Sequence, residues 1–147
     1  MMSFQWLQMR ISEENDRRKK ETNTLARLPS ALEEVHEALQ VCVQQYRDAF
    51  GEEAAELQLD PPRIKVIARQ EASEGWKQNS TVEVLLVPIL PGFQIDNGSG
   101  GDPWIVEVGV LPGEKLYYRD REKDQYITME DLTKRIVDRA FFPKLPE

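Results

Sequence analysis

The 147-residue chain holds one cysteine, Cys42, and one histidine, His36. A lone cysteine closes no internal disulfide, so a packed core has to hold the fold, and the chain reads as one suited to a reducing compartment such as the cytoplasm. Nucleophile chemistry is equally short of parts. His36 and Cys42 stand six apart on one expected helix, where their directions diverge by about 120° and they cannot pair. No apolar run approaches the ~20 residues of a membrane span. The opening MMSFQWLQMR lacks the charged start and apolar stretch of a secretory signal. Positive charge is scarce as well: 19 Lys and Arg stand against 26 Asp and Glu, a net charge of −7. That balance opposes binding to the phosphate backbone of nucleic acid.

The deficit is local. Between Pro29 and Asp60 the only basic residue is Arg47, set against Glu33, Glu34, Glu37, Asp48, Glu52, Glu53, Glu56 and Asp60. The single basic cluster, Arg17 to Lys20, is bracketed by Glu13, Glu14, Asp16 and Glu21. Such interleaving is the mark of a solvated helix face laced with ion pairs. Interfacial membrane helices carry fewer acids, which disfavours a membrane surface despite the apolar FQWLQMRI near the start.

What the chain does have is two periods. Up to Phe50 apolar residues recur at Phe4, Leu7 and Ile11, then at Leu25, Leu28, Leu32, Val35, Leu39, Cys42, Tyr46 and Ala49. Steps of three and four residues trace one helical face. In the polar middle the frame falls on Glu14, Arg18 and Glu21. Pro29 lies inside this run, and an interior proline removes a backbone donor and crowds the preceding turn. Two helices are therefore expected, about 3–27 and 29–50. Ser30 and Glu33 have capping-box spacing for the second, and Gly51 is its expected left-handed cap. A kinked continuous rod is the alternative.

After ELQLDPP the period falls to two. RIKVIAR (63–69), STVEVLLV (80–87), FQID (93–96), WIVEVGV (104–110), KLYYRD (115–120) and QYIT (125–128) read as strands separated by Gly- and Pro-rich turns. Alternation such as Ile64, Val66 and Ala68 against Lys65 and Arg69 implies one buried and one wet face. The connections are too short for parallel crossovers. Thr128, with Glu130 and Asp131 behind it, caps a last helix striped by Leu132, Ile136, Val137 and Ala140 and stopped by Pro143.

The fold expected is α+β: an antiparallel meander covered by helices, with a long, coiled-coil-like helical arm at the N-terminus. The division is an arm over 1–28 and an α+β domain over 29–147.

Few constellations carry chemistry. The loop QIDNGSGGDPW (94–104) is no phosphate cradle, because its glycines do not follow G-x-G-x-x-G and it leads into a strand. As a calcium loop it places Asp96, Gly101 and Glu107 at the first, sixth and twelfth positions, but the third and fifth are Gly98 and Gly100. Turn chemistry accounts for the loop, and Asp96, Asn97, Asp102 and Trp104 are its candidates for contact with a partner or ligand. Glu33 and His36 form half of a carboxylate metal motif, the only candidates for a metal, and no metal or other cofactor is expected. Glu83 and Glu107, each among valines in mid-strand, are the candidates for acid–base work if an enclosed face raised their pKa values.

The function expected is a non-enzymatic interaction and assembly module. It self-associates through Phe4, Leu7, Ile11, Leu25 and Leu28, a second copy being the first partner and another protein the next. A small-molecule pocket between sheet and helix is the alternative.

Overall fold

In the computed structural model, residues 2, 4–72, 75–98 and 101–142 are described, with side chains omitted over 70–79. Ser99 and Gly100 of the loop and the helix stop at Pro143 lie outside the described residues. The fold is α+β. One long helix, α1 (Gln5–Phe50), precedes seven strands: β1 (Ala55–Asp60), β2 (Arg63–Ala72), β3 (Gly75–Val87), β4 (Gly92–Asp96), β5 (Trp104–Leu111), β6 (Lys115–Asp120) and β7 (Gln125–Ile127). A short helix, α2 (Met129–Phe141), closes the described part. The strands form one sheet in sequence order, and every neighbouring pair is antiparallel. No helix among the described residues is long and apolar enough to cross a membrane.

Three sequence expectations are corrected here. The helix does not break at Pro29, which sits inside α1. Pro29 points to solvent, while Leu28, Ala31, Leu32 and Val35 on the other face are buried. The carbonyl freed by proline can therefore take water, and packing on the sheet holds the turns on either side together. Ser30 and Glu33 accordingly cap nothing. The second correction is β1, which was not expected as a strand. Gly51 does terminate α1, with φ 115° and ψ 155° and its N–H on the Arg47 carbonyl at 2.7 Å. That is an extended conformation at positive φ, open to glycine, rather than the left-handed cap expected.

The core lies between one face of the sheet and the two helices. Ile64, Val66, Val82, Val84, Phe93, Ile95, Val106 and Val108 supply the sheet side. Val35, Leu39, Val43 and Tyr46 of α1 and Leu132, Ile136 and Val137 of α2 supply the cover. Tyr46 stacks on Phe141 at 4.2 Å between ring centres and donates its hydroxyl to the Phe141 carbonyl at 3.3 Å, which ties the two helices together. Thr128 caps α2 as expected, accepting from the Asp131 N–H at 3.1 Å.

The sheet covers only the second half of α1. Thr24 is the first buried residue of the helix. The 19 residues before it project about 28 Å at 1.5 Å per residue.

Candidate functional site

The described residues offer three surfaces with something to explain. The first is the arm. Trp6 is 64% exposed and Met9 60%, and Phe4, Leu7 and Ile11 are also open to solvent. Its polar waist satisfies itself: Arg17 pairs with Glu14 at 2.7 Å and with Glu21 at 2.9 Å, and Arg18 with Glu14 at 3.1 Å. The two guanidiniums hold the Glu14 carboxyl down to about 2. Of the five residues expected to mediate self-association, Phe4, Leu7, Ile11 and Leu25 are exposed on this arm. Leu28 is instead buried in the chain's own core. It sits where the helix meets the sheet, beside Arg27, whose guanidinium donates to the Glu114 carbonyl at 3.2 Å.

The second surface is a cleft of about 620 Å³ between α2 and the end of the sheet. Three of the four loop residues singled out from the sequence, Asn97, Asp102 and Trp104, line it. Asp96 does not, because its carboxylate turns the chain by accepting the Gly98 N–H at 2.8 Å, with Gly98 at φ 74°. The centre of the cleft is a group the sequence reading did not name. Asp120 is 1% exposed. It accepts from Arg135 at 2.6 Å and from the Glu122 and Lys123 N–H groups at 3.0 and 3.4 Å. The Arg135 guanidinium lies 4.1 Å above the centre of the Trp104 ring. The Trp104 indole N–H is buried with no acceptor in good hydrogen-bond geometry, yet it stands close enough to Asp120 to favour its charge. Burial alone would raise the Asp120 pKa; Arg135, Trp104 and the Lys123 N–H outweigh it and hold the carboxyl below its ordinary value.

Asp120 therefore fastens α2 to the β6–β7 turn through charge, and the pH dependence of stability follows from the sign of its shift. A carboxyl lowered in the folded state stabilises fully above its unfolded pKa, and that contribution is lost as pH falls through the folded value. Asp120→Asn is expected to lower stability by about 1–2 kcal/mol at neutral pH, the lower part of the range for charge-assisted bonds because Arg135 is partly exposed. The gap between the two proteins should narrow progressively as pH falls below about 4. Urea unfolding of both proteins across that range measures it.

The third surface is a groove of about 840 Å³ between α1 and β1 that includes His36. Glu33 is exposed on α1. Among the described residues no group of three or more His, Cys, Asp or Glu side chains gathers to hold a metal ion.

Glu83 and Glu107 stand on the sheet face turned away from the helices and line none of these surfaces. Glu83 is opposite Asp96 and Glu107 opposite Gly92, at the two ends of β4. Two strand spacings and four residues of offset put them roughly 16 Å apart, too far to share a proton or a substrate atom. Glu107 is ion-paired with Arg119 at 2.9 Å, and Arg119 also reaches Asp124. On the same face Tyr117 meets Tyr126 edge to face at 5.3 Å, the cross-strand pair expected of a stabilised hairpin. Tyr118 points inward and donates to Glu34 at 3.3 Å.

Comparison with protein families, curated proteins and solved structures finds no match to this chain.

Proposed function

We propose that the protein is a non-enzymatic assembly module that pairs with a second copy of itself through the arm of α1, in a cytoplasmic setting that suits its single half-buried thiol. The observation that carries this reading is the arm itself: about five turns of helix with an apolar tip and no shelter among the described residues.

The occupant argued for is a second arm running antiparallel. The frame Leu7, Ile11, Glu14, Arg18, Glu21, Leu25 has steps that read the same in both directions about Asp16, and Leu28, taken up by the core, lies beyond its end. Antiparallel pairing sets Leu7 against Leu25 and Glu14 against Arg18 of the other copy, and by symmetry the reverse. Parallel pairing would set Glu14 against Glu14 and Arg18 against Arg18, a repulsive arrangement. The Ile11–Glu21 layers are the weakest, with the glutamate stem lying along the seam and its head in water. Trp6 and Met9 lie off the seam, but antiparallel register brings Trp6 level with residue 26 of the other copy. There the β5–β6 turn, fixed by the Arg27–Glu114 bond, offers the exposed Leu111 as cover.

Removal of residues 1–23 stops short of buried Thr24 and leaves the core untouched. The truncated chain is expected to be a folded monomer where the full chain is a dimer. Sedimentation equilibrium together with circular dichroism checks this, and an unchanged mass would remove the arm from the interface.

The second reading, a small-molecule site, has the Trp104–Arg135 cleft to occupy. Its acid–base form has no support from the positions of Glu83 and Glu107.

A further inference from the structure

β1 is an edge of the sheet, with a neighbour on the β2 side only. The Arg69 N–H donates to the Ala54 carbonyl at 2.7 Å, and the register continues with Glu56 opposite Ile67, Gln58 opposite Lys65 and Asp60 opposite Arg63. Hydrogen-bonded pairs alternate along an antiparallel ladder. Glu56, Gln58 and Asp60 therefore direct their backbone groups to β2, and the N–H and C=O of Ala55, Leu57 and Leu59 point away from the sheet; Ala55 is buried, which leaves Leu57 and Leu59 as the open positions of the edge. The Leu86 N–H on the Pro62 carbonyl at 2.9 Å fixes the same phase from the β3 side.

Folded proteins guard such edges with lysine, proline, bulges or brevity. β7, at three residues, is brief. β1 has six residues, AELQLD, with neither lysine nor proline among them. Beside it lies the 840 Å³ groove, walled by α1 from His36 to Arg47 and presenting Val41 and Leu57 as apolar surface. That stretch of helix is about 16 Å long, the length of roughly five extended residues.

Charge selects the occupant. Glu37, Glu52 and Glu53 line the groove, and their carboxylates have no ion pair among the described residues. The two groove arginines are engaged, Arg69 with Glu56 at 2.8 Å and Arg47 with the Glu52 carbonyl at 2.9 Å. We propose that β1 accepts an extended, basic peptide segment of a partner protein as an added strand. The added backbone bonds to Leu57 and Leu59, and its cationic side chains face Glu37, Glu52 and Glu53. This docking surface is separate from the arm and does not depend on it.

A fluorescein-labelled nonapeptide of alternating lysine and valine is the probe, titrated into the full chain and followed by anisotropy and by amide hydrogen exchange. The peptide is expected to bind and to protect the amides of Leu57 and Leu59. Its backbone-N-methylated counterpart keeps the charge but lacks the donors, and is expected to bind about tenfold more weakly, as is the glutamate–valine peptide. The triple variant E37Q/E52Q/E53Q should weaken the lysine peptide by a similar factor. Leu57→Pro removes an outward donor that the β1–β2 ladder does not use, and should abolish protection at the edge. Equal binding by the N-methylated peptide, or no protection at the two amides, overturns the proposal. So does their protection in the peptide-free chain lacking residues 1–23, since a second copy would then occupy the edge.

Discussion

Gly92→Ala is expected to destabilise the protein by at least about 3 kcal/mol, enough to lower the melting temperature by about 10 °C. A methyl group built on Gly92 would overlap the Val106 carbonyl oxygen and stand 2.9 Å from the Glu107 Cα. Both obstacles are backbone of the neighbouring strand and cannot swing aside. Gly92 does not adopt a left-handed φ, so the requirement is one of space alone. The β4–β5 ladder runs on past Gly92, where the Val108 N–H donates to the Pro91 carbonyl at 3.0 Å and holds the two backbones together. Relief would have to come from sliding β4 against β5, the pairing that sets Ile95 opposite Trp104 and so positions the cleft. Gly109→Ala is the control. The atoms nearest a methyl there all belong to the tip of the Tyr117 ring, which lies over the glycine on the outer face of the sheet. That ring can turn away, at the expense of its contact with Tyr126, so the loss is expected to stay near 1 kcal/mol or below. Thermal unfolding of the two variants side by side separates a backbone obstacle from a side-chain one. Comparable losses would show that the β4–β5 pairing yields.

The same contrast between pattern and placement decides how far the sequence could be read. The alternation of Ile64, Val66 and Ala68 with polar neighbours led directly to the inner face of β2, and the Leu132 stripe to the buried face of α2. β1 was hidden although Ala55, Leu57 and Leu59 do alternate, because Glu56, Gln58 and Asp60 make the segment polar and it follows a helix almost at once. Pro29 misled for a different reason. A proline's cost depends on which face it occupies, and the exposed face is known only once the sheet is in place. In the cleft, Trp104 was visible as an aromatic after a loop. Asp120 was visible only by parity: Leu116, Tyr118 and Asp120 share one side of β6, and two of the three are apolar. A carboxylate in an inward position requires a cation, but that the cation is Arg135 follows from the packing of α2, which no local pattern contains.

The arm offers the other large effect, since pairing of two copies is all or none for a covalent trap. In a Cys42→Ser background, the double variant Leu7→Cys, Leu25→Cys is expected to yield a disulfide-linked dimer under mild oxidation. The two sites lie about 27 Å apart along one helix, so no bridge can form within a chain. Antiparallel arms bring each Leu7 position to the Leu25 position of the other copy, and both bridges of a dimer form together. Each single variant should remain uncrosslinked, because its cysteines stand at opposite ends of the paired arms. Non-reducing electrophoresis reads all three. A Leu7→Cys chain that crosslinks alone would mean parallel arms, with Glu14 facing Glu14. Such an arrangement would need a further partner for the carboxylates than Arg17 and Arg18 of the same helix, because those bonds exist in the single chain already and give no reason for pairing. If none of the three crosslinks, the exposed tip from Phe4 to Ile11 is sheltered by something other than a second arm. Salt separates these outcomes further. An antiparallel seam centred on two Glu14–Arg18 pairs at the surface should loosen only modestly as ionic strength rises, because Leu7 and Leu25 anchor both of its ends.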